Sequence, residues 1–191
     1  MIRASGGFPF SPKLLPDTIN DLKEHPVVTH LFVCVDADDE TVAIRRARIE
    51  QELADLACPC PFSVIIANRC MESWFLGNRT MMPHRPDENP DLHPFWNHYD
   101  VSIRDPEQME KPESFHLSTA QFHKTYLKAM FRAQGKSYTE KYPGATQDET
   151  YFDALVERRR ETGHLASFGQ LIDTWSGLGS PRLKPIRNGR S

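Results

Sequence analysis

Asp36, Asp38 and Glu72 are the residues whose types and settings point most directly to chemistry. The stretch Leu31-Phe32-Val33-Cys34-Val35-Asp36-Ala37-Asp38-Asp39-Glu40 runs an apolar segment straight into a cluster of acids. A short apolar run bounded by polar residues predicts a buried strand of the kind parallel sheets use. In an open α/β sheet, ligands sit at the carboxyl edge of such strands. On extended chain Asp36 and Asp38 would point the same way, with α-carbons roughly 7 Å apart. Carboxylates that close repel unless a cation lies between them, and hard oxygen donors favour magnesium or manganese. A second reading stays open: an acidic turn that caps the next helix, with Asp39 or Thr41 as N-cap.

Another apolar run, Phe62-Ser63-Val64-Ile65-Ile66-Ala67, predicts a second buried strand. Asn68 is placed to cap a short helix after it, and Gly77 to end that helix. Glu72 falls inside it, among Met71, Trp74, Phe75 and Leu76. A carboxylate in apolar surroundings is expensive unless it meets a cation or a hydrogen-bond donor. The bland alternative is a first-turn glutamate favoured by the helix dipole. A right-handed strand–helix–strand crossover makes the two strands parallel, with both carboxyl ends on one edge. Glu72 then lands near Asp36 and Asp38.

The remaining chain must hold that edge in place. Leu14, Leu15, Ile19 and Leu22 predict a helix to Glu24, with Ser11-Pro12 as cap and first residue and Pro26 as stop. Ile2 to Ser5 reads as a possible short strand. A helix from Thr41 to about Ala57 carries Val42, Ile49, Leu53 and Leu56 on one face. Arg45, Arg46, Arg48, Glu50 and Glu52 are expected on a solvated face. Residues 79–116 read as one long loop that packs down through Trp96, Tyr99 and Val101; such loops are functional or disordered. Its His84, His93 and His98 lack ligand spacing and read as structural. Ser118 should cap a helix to about Gln134, with Phe122, Tyr126, Leu127, Met130 and Phe131 as its core stripe. His123, Lys124, Lys128 and Arg132 are expected on the opposite, basic side. Helices over about 148–162 and 166–175 follow, with Arg158-Arg159-Arg160 suiting the dipole of the first. Residues 179–191 read as a flexible basic tail, fit to touch nucleic acid or simply to solubilise.

With 191 residues, 39% hydrophobic and 26% charged, residues 1–178 are expected to form a single soluble α/β domain. A net charge of −3 carries no overall nucleic-acid signal. No apolar run approaches the roughly 20 residues of a membrane span. The four cysteines read as ordinary thiols in a reducing, cytoplasmic setting, since Cys58-Pro-Cys60 lacks zinc-knuckle spacing. Gly6-Gly7 is not a phosphate-binding loop.

Over about residues 28–78 the pattern resembles the Toprim-like nucleases, nearest to those linked to OLD and RloB anti-phage proteins. In them a similar strand ends in Asp-x-Asp, and a later Glu-x-Trp segment, here Glu72-Ser73-Trp74, starts a helix. The resemblance implies a mainly parallel sheet with flanking helices, to which this chain adds an α-helical C-terminal part. It implies Asp36 and Asp38 as metal ligands and Glu72 as a further acidic ligand, with Mg2+ or Mn2+ as cofactor. Such an ion polarises a phosphodiester of DNA or RNA and acidifies the attacking water. Arg69 would meet a phosphate, and Lys124 and Lys128 would hold the nucleic-acid backbone. The sequence departs from the family at one point. A Toprim nuclease has a first strand ending in glutamate, whereas here Glu24 stands at a helix end and no apolar strand ending in glutamate precedes residue 28. A catalytically inactive subunit, binding a partner such as an ATPase or a second copy of itself, is therefore the alternative.

Overall fold

Short apolar runs make the central pair of strands, whose two faces meet different sets of helices. The computed structural model describes residues 13–25 and 27–178. Among them, β1 (Leu31–Asp36) and β2 (Phe62–Ala67) pair in parallel, with Leu31 opposite Phe62 and Asp36 opposite Ala67. Helix α2 (Val42–Asp55) makes the crossover between them, and α1 (Leu14–Glu24) precedes β1. After β2 come α3 (Met71–Phe75), α4 (His93–His98), α5 (Thr119–Ala133), α6 (Glu149–Thr162) and α7 (Ala166–Gly177). The architecture is α/β, with a small parallel sheet flanked by helices and a helical C-terminal part. The expected strand at Ile2 to Ser5, the Ser11-Pro12 cap, Pro26 and the 179–191 tail lie outside the described residues.

Val33, Val35, Val64 and Ile66 point to one face, where they pack with Leu15, Ile19 and Leu22 of α1 and Ile49 and Leu53 of α2. Ile65 and Ala67 point to the other, into a larger cluster built from α3, α5, α6 and α7. Helix α7 lies against β2. The expectation of two buried strands therefore holds for Val64 to Ala67 of β2, and in β1 for Val33 and Val35. Cys34, on the second face of β1, is exposed. Phe32, on the same face, meets the rings of His30 and Trp175.

The long segment after α3 is ordered by short turns rather than by long helices. Single 3-10 turns at Arg79–Met81, Pro86–Glu88 and Pro106–Gln108 alternate with α4. Leu92, Tyr99, Val101 and Met109 sink into the larger cluster. In α5, Ser118 Oγ accepts the Gln121 N–H at 3.1 Å, and all five residues of the predicted stripe are buried.

Three residues expected in solvated or merely dipole-paired settings are buried: Arg45, His123 and Arg158. Arg45 stands three residues after Val42 and four before Ile49, so it shares their inward row. His123 likewise stands between Ala120 and Tyr126 on the inner face of α5. Arg158 donates to the carbonyls of Gly77 at 3.1 Å, Val101 at 2.6 Å and Arg104 at 2.6 Å. It ties α6 to the segment after α3, and burial pulls its pKa down to about 10. Among the described residues no helix is long and apolar enough to cross a membrane.

Candidate active site at the carboxyl edge of the strands

Asp36 ends β1, and its Oδ1 accepts the Met71 N–H at the start of α3, at 3.0 Å. The strand pairing runs on into the following turn, where the Ala37 N–H donates to Ala67 O at 2.9 Å and the Asp38 N–H to Arg69 O at 2.8 Å. Asp38 then takes φ +53°, in the left-handed region. The strand ends at Asp36, so the extended geometry from which a shared direction was expected does not reach Asp38. The Asp38 carboxylate is met instead by Arg45 at 3.4 Å. The same guanidinium donates to Ala37 O at 3.1 Å and pairs with Glu40 at 3.1 Å. Thr41 Oγ1 accepts the Ile44 N–H at 3.3 Å, so the acidic turn also serves as the N-cap of α2.

Glu72 is only 3% exposed. The hydroxyl of Tyr138 donates to its Oε1 at 2.8 Å, which supplies the partner its apolar setting demands. Its negative charge also acts on Asp36. Burial, then Glu72, then Asp38 push the Asp36 carboxyl up to about 7, against Lys124 and the Met71 N–H. Glu72 thus stands within electrostatic reach of Asp36, at the edge where the crossover argument put it.

The turn that carries Glu72 is locked from below by a serine and a histidine. Ser73 Oγ accepts the N–H groups of Arg69 at 3.1 Å and Cys70 at 3.2 Å. With its acceptor capacity so used, its hydroxyl donates to His123 Nδ1 at 2.7 Å, and His123 Nε2 donates to Met109 O at 2.9 Å. Burial pulls the His123 pKa down to about 4, so this imidazole is a neutral structural link. Cys70 takes the N-cap place expected of Asn68. Asn68 instead ties the turn to other elements, donating through Nδ2 to Glu107 O at 3.0 Å and through N–H to Ser167 Oγ at 3.2 Å.

Two cations flank the acids. Lys124 pairs with Glu140 at 3.0 Å. Burial disfavours its ammonium, but Glu140 and Glu72 together hold its pKa above the ordinary value. Arg69 pairs with Glu110. Lys128, one turn along α5 from Lys124, makes no ion pair among the described residues. The structure therefore brings Asp36, Glu72 and Lys124 together, with Asp38 held at the rim by Arg45 and Arg69 on the turn after β2. Ser73, His123, Tyr138 and Arg45 were not picked out from sequence. His123 and Arg45 carried a signal, since both stand at inward helical spacing; Tyr138, in a turn, carried none.

Among the described residues no group of three or more His, Cys, Asp or Glu side chains stands ready to hold a metal ion. Asp36 and Glu72 offer two hard carboxylates. That donor set suits magnesium, which takes one or two protein carboxylates and completes its shell with water and substrate phosphate. A comparison of the chain with protein-family models, curated proteins and solved structures finds no match.

Proposed function

We propose that this protein is a Toprim-like nuclease that uses Mg2+ or Mn2+ to hydrolyse phosphodiesters of DNA or RNA, in an anti-phage defence setting. One observation carries the reading. The protein sets a buried glutamate, Glu72, against Asp36 at the carboxyl edge of two parallel strands, where their charges repel. Such an arrangement is unfavourable for folding alone and becomes favourable with a divalent cation between the two. When bound, the ion would polarise the phosphodiester and acidify a water. Asp36 and Glu72 would hold it, the Met71 N–H would orient Asp36, and Lys124 and Arg69 would receive the nucleic-acid backbone.

The test uses purified protein with single-stranded, duplex and structured DNA or RNA, in manganese and in chelator. Cleavage in manganese that is lost in chelator, in Asp36→Asn and in Glu72→Gln is the expected result. Cleavage that persists in chelator, or in both variants, would sink the metal-dependent reading.

A second reading is favoured by the Arg45–Asp38 pair and by the lack, among the described residues, of a group of three metal-ligating side chains. In it, the chain is an inactive Toprim-like subunit whose acidic edge docks on a partner, such as an ATPase or a second copy. It predicts no cleavage with either metal.

A further inference from the structure

The two cations that flank the acidic edge are both already occupied by carboxylates from neighbouring segments. Arg69 is paired with Glu110, and Lys124 with Glu140 at 3.0 Å. The carboxylate side chains are 67% and 57% exposed, whereas the cations are only 25% and 16% exposed. Each acid follows closely on an anchor of the site. Glu110 succeeds Met109, whose carbonyl accepts His123, and Glu140 stands two residues after Tyr138, which holds Glu72. The acids themselves are open to solvent, so each can leave its cation for another anion at little cost. Arg69 also keeps a buried Nε without a hydrogen-bond partner, although its Nη2 is paired with Glu110. A single carboxylate leaves that donor unmet; a phosphate, with more acceptor oxygens, can reach more of the fork.

We propose that Glu110 and Glu140 are internal mimics of the phosphate groups of a polynucleotide. In the free protein they hold Arg69 and Lys124 in their binding positions, and a nucleic-acid backbone binds by displacing them. This inference rests on the reading of the edge as nucleic-acid-binding. It adds that the free protein competes with its own ligand, so the acids set the affinity. The chemistry required is a chain of phosphodiesters, because the two cations sit on separate elements, the turn after β2 and helix α5.

The experiment measures binding of the full chain to a fluorescent single-stranded and a duplex oligonucleotide, by anisotropy, in chelator. Removing divalent ions separates binding from cleavage. Glu110→Gln and Glu140→Gln together should tighten Kd roughly tenfold, the joint release of two exposed ion pairs. Glu157→Gln removes the same charge from the Arg160 pair on α6 and should change Kd by less than about twofold. Adding Arg69→Ala to the first variant, or Lys124→Ala to the second, should cancel the gain. Equal binding by wild type and the double variant would overturn the mimicry while leaving the nucleic-acid reading intact. So would an equal gain in Glu157→Gln, or a gain that survives loss of the cation. Failure of wild type and all variants to bind either oligonucleotide would overturn the mimicry, and cleavage in manganese would still decide the nuclease reading.

Discussion

Glu72 and Glu107 are both buried glutamates, each 3% exposed, and their surroundings treat them in opposite ways. Glu107 lies in a 3-10 turn and does the work of an N-cap for α7. Leu165, which stands in the cap position with φ +59°, has no side chain able to accept. Glu107 reaches across 60 residues of sequence to accept the Ser167 N–H at 3.1 Å, the Ser167 hydroxyl at 2.6 Å and the Phe168 N–H at 3.4 Å. Burial and, more weakly, Asp105 raise its pKa, and the donors from Ser167 and Phe168 oppose that rise. Glu72 takes one hydroxyl, from Tyr138, and a contact from the Cys70 thiol, feels the charge of Lys124, and faces Asp36. A buried carboxylate surrounded by donors is explained by folding. One with fewer donors, which helps push a neighbouring carboxyl up to about 7, is less fully explained, and that difference is the physical case for a ligand at the strand edge.

The largest expected effect is on the satisfied side of this comparison. Glu107→Ala leaves the first N–H groups of α7 buried without an acceptor. It should lower stability by roughly 3–5 kcal/mol in urea unfolding. A loss under about 1 kcal/mol would mean that α7 does not depend on this cap.

The next effect concerns the link beneath Glu72. His123 is pulled down to about 4 from an ordinary value of 6.5, chiefly by burial, with Arg69 opposing and Glu110 and the Met109 carbonyl favouring the charged form. The folded state therefore binds fewer protons than the unfolded state between those values. Stability from this group is complete above about pH 6.5 and is lost on acidification towards pH 4, by roughly 3 kcal/mol. Unfolding measured across that range should show the decline in wild type and a flatter profile in His123→Gln. An unchanged slope in the variant would assign the decline to other groups.

Much of this framework could be read from the chain alone, because it rests on periodicity. The apolar runs ending at Asp36 and Ala67 marked both strands, and the crossover rule put Glu72 beside Asp36. Ser118 and Thr41 announced their helices by capping chemistry. Where reading failed, a polar residue had been absorbed by tertiary contacts. His123 and Arg158 find partners on distant segments, which have no local signature, and Arg45 turns back on the acidic turn that precedes its own helix. Asp38 was misdirected for another reason: one residue in the left-handed region ends a strand, and a non-glycine there gives little warning. Tyr138 and Glu107 reach their partners from turns, where no period exists to reveal which way a side chain faces.

The smallest expected effect is also the sharpest, because the same chemical change should have opposite signs at the two glutamates. Glu107→Gln keeps one oxygen but turns an amide N–H2 towards the Ser167 N–H, a donor facing a donor. It should cost about 1 kcal/mol. Glu72→Gln keeps an oxygen for the Tyr138 hydroxyl and removes the charge that repels Asp36. Its amide can also donate towards the Asp36 carboxylate. Without divalent ions this variant should match wild type or exceed it by up to about 1 kcal/mol. Thermal unfolding in chelator compares the two directly. Repeating it in manganese extends the test, since a ligand that binds only the folded state raises its stability. Wild type and Glu107→Gln should both gain in melting temperature, whereas Glu72→Gln should gain little. Destabilisation of Glu72→Gln in chelator would show that Glu72 is satisfied after all. The contrast between the two glutamates, and with it the case for a cation at this edge, would then fall.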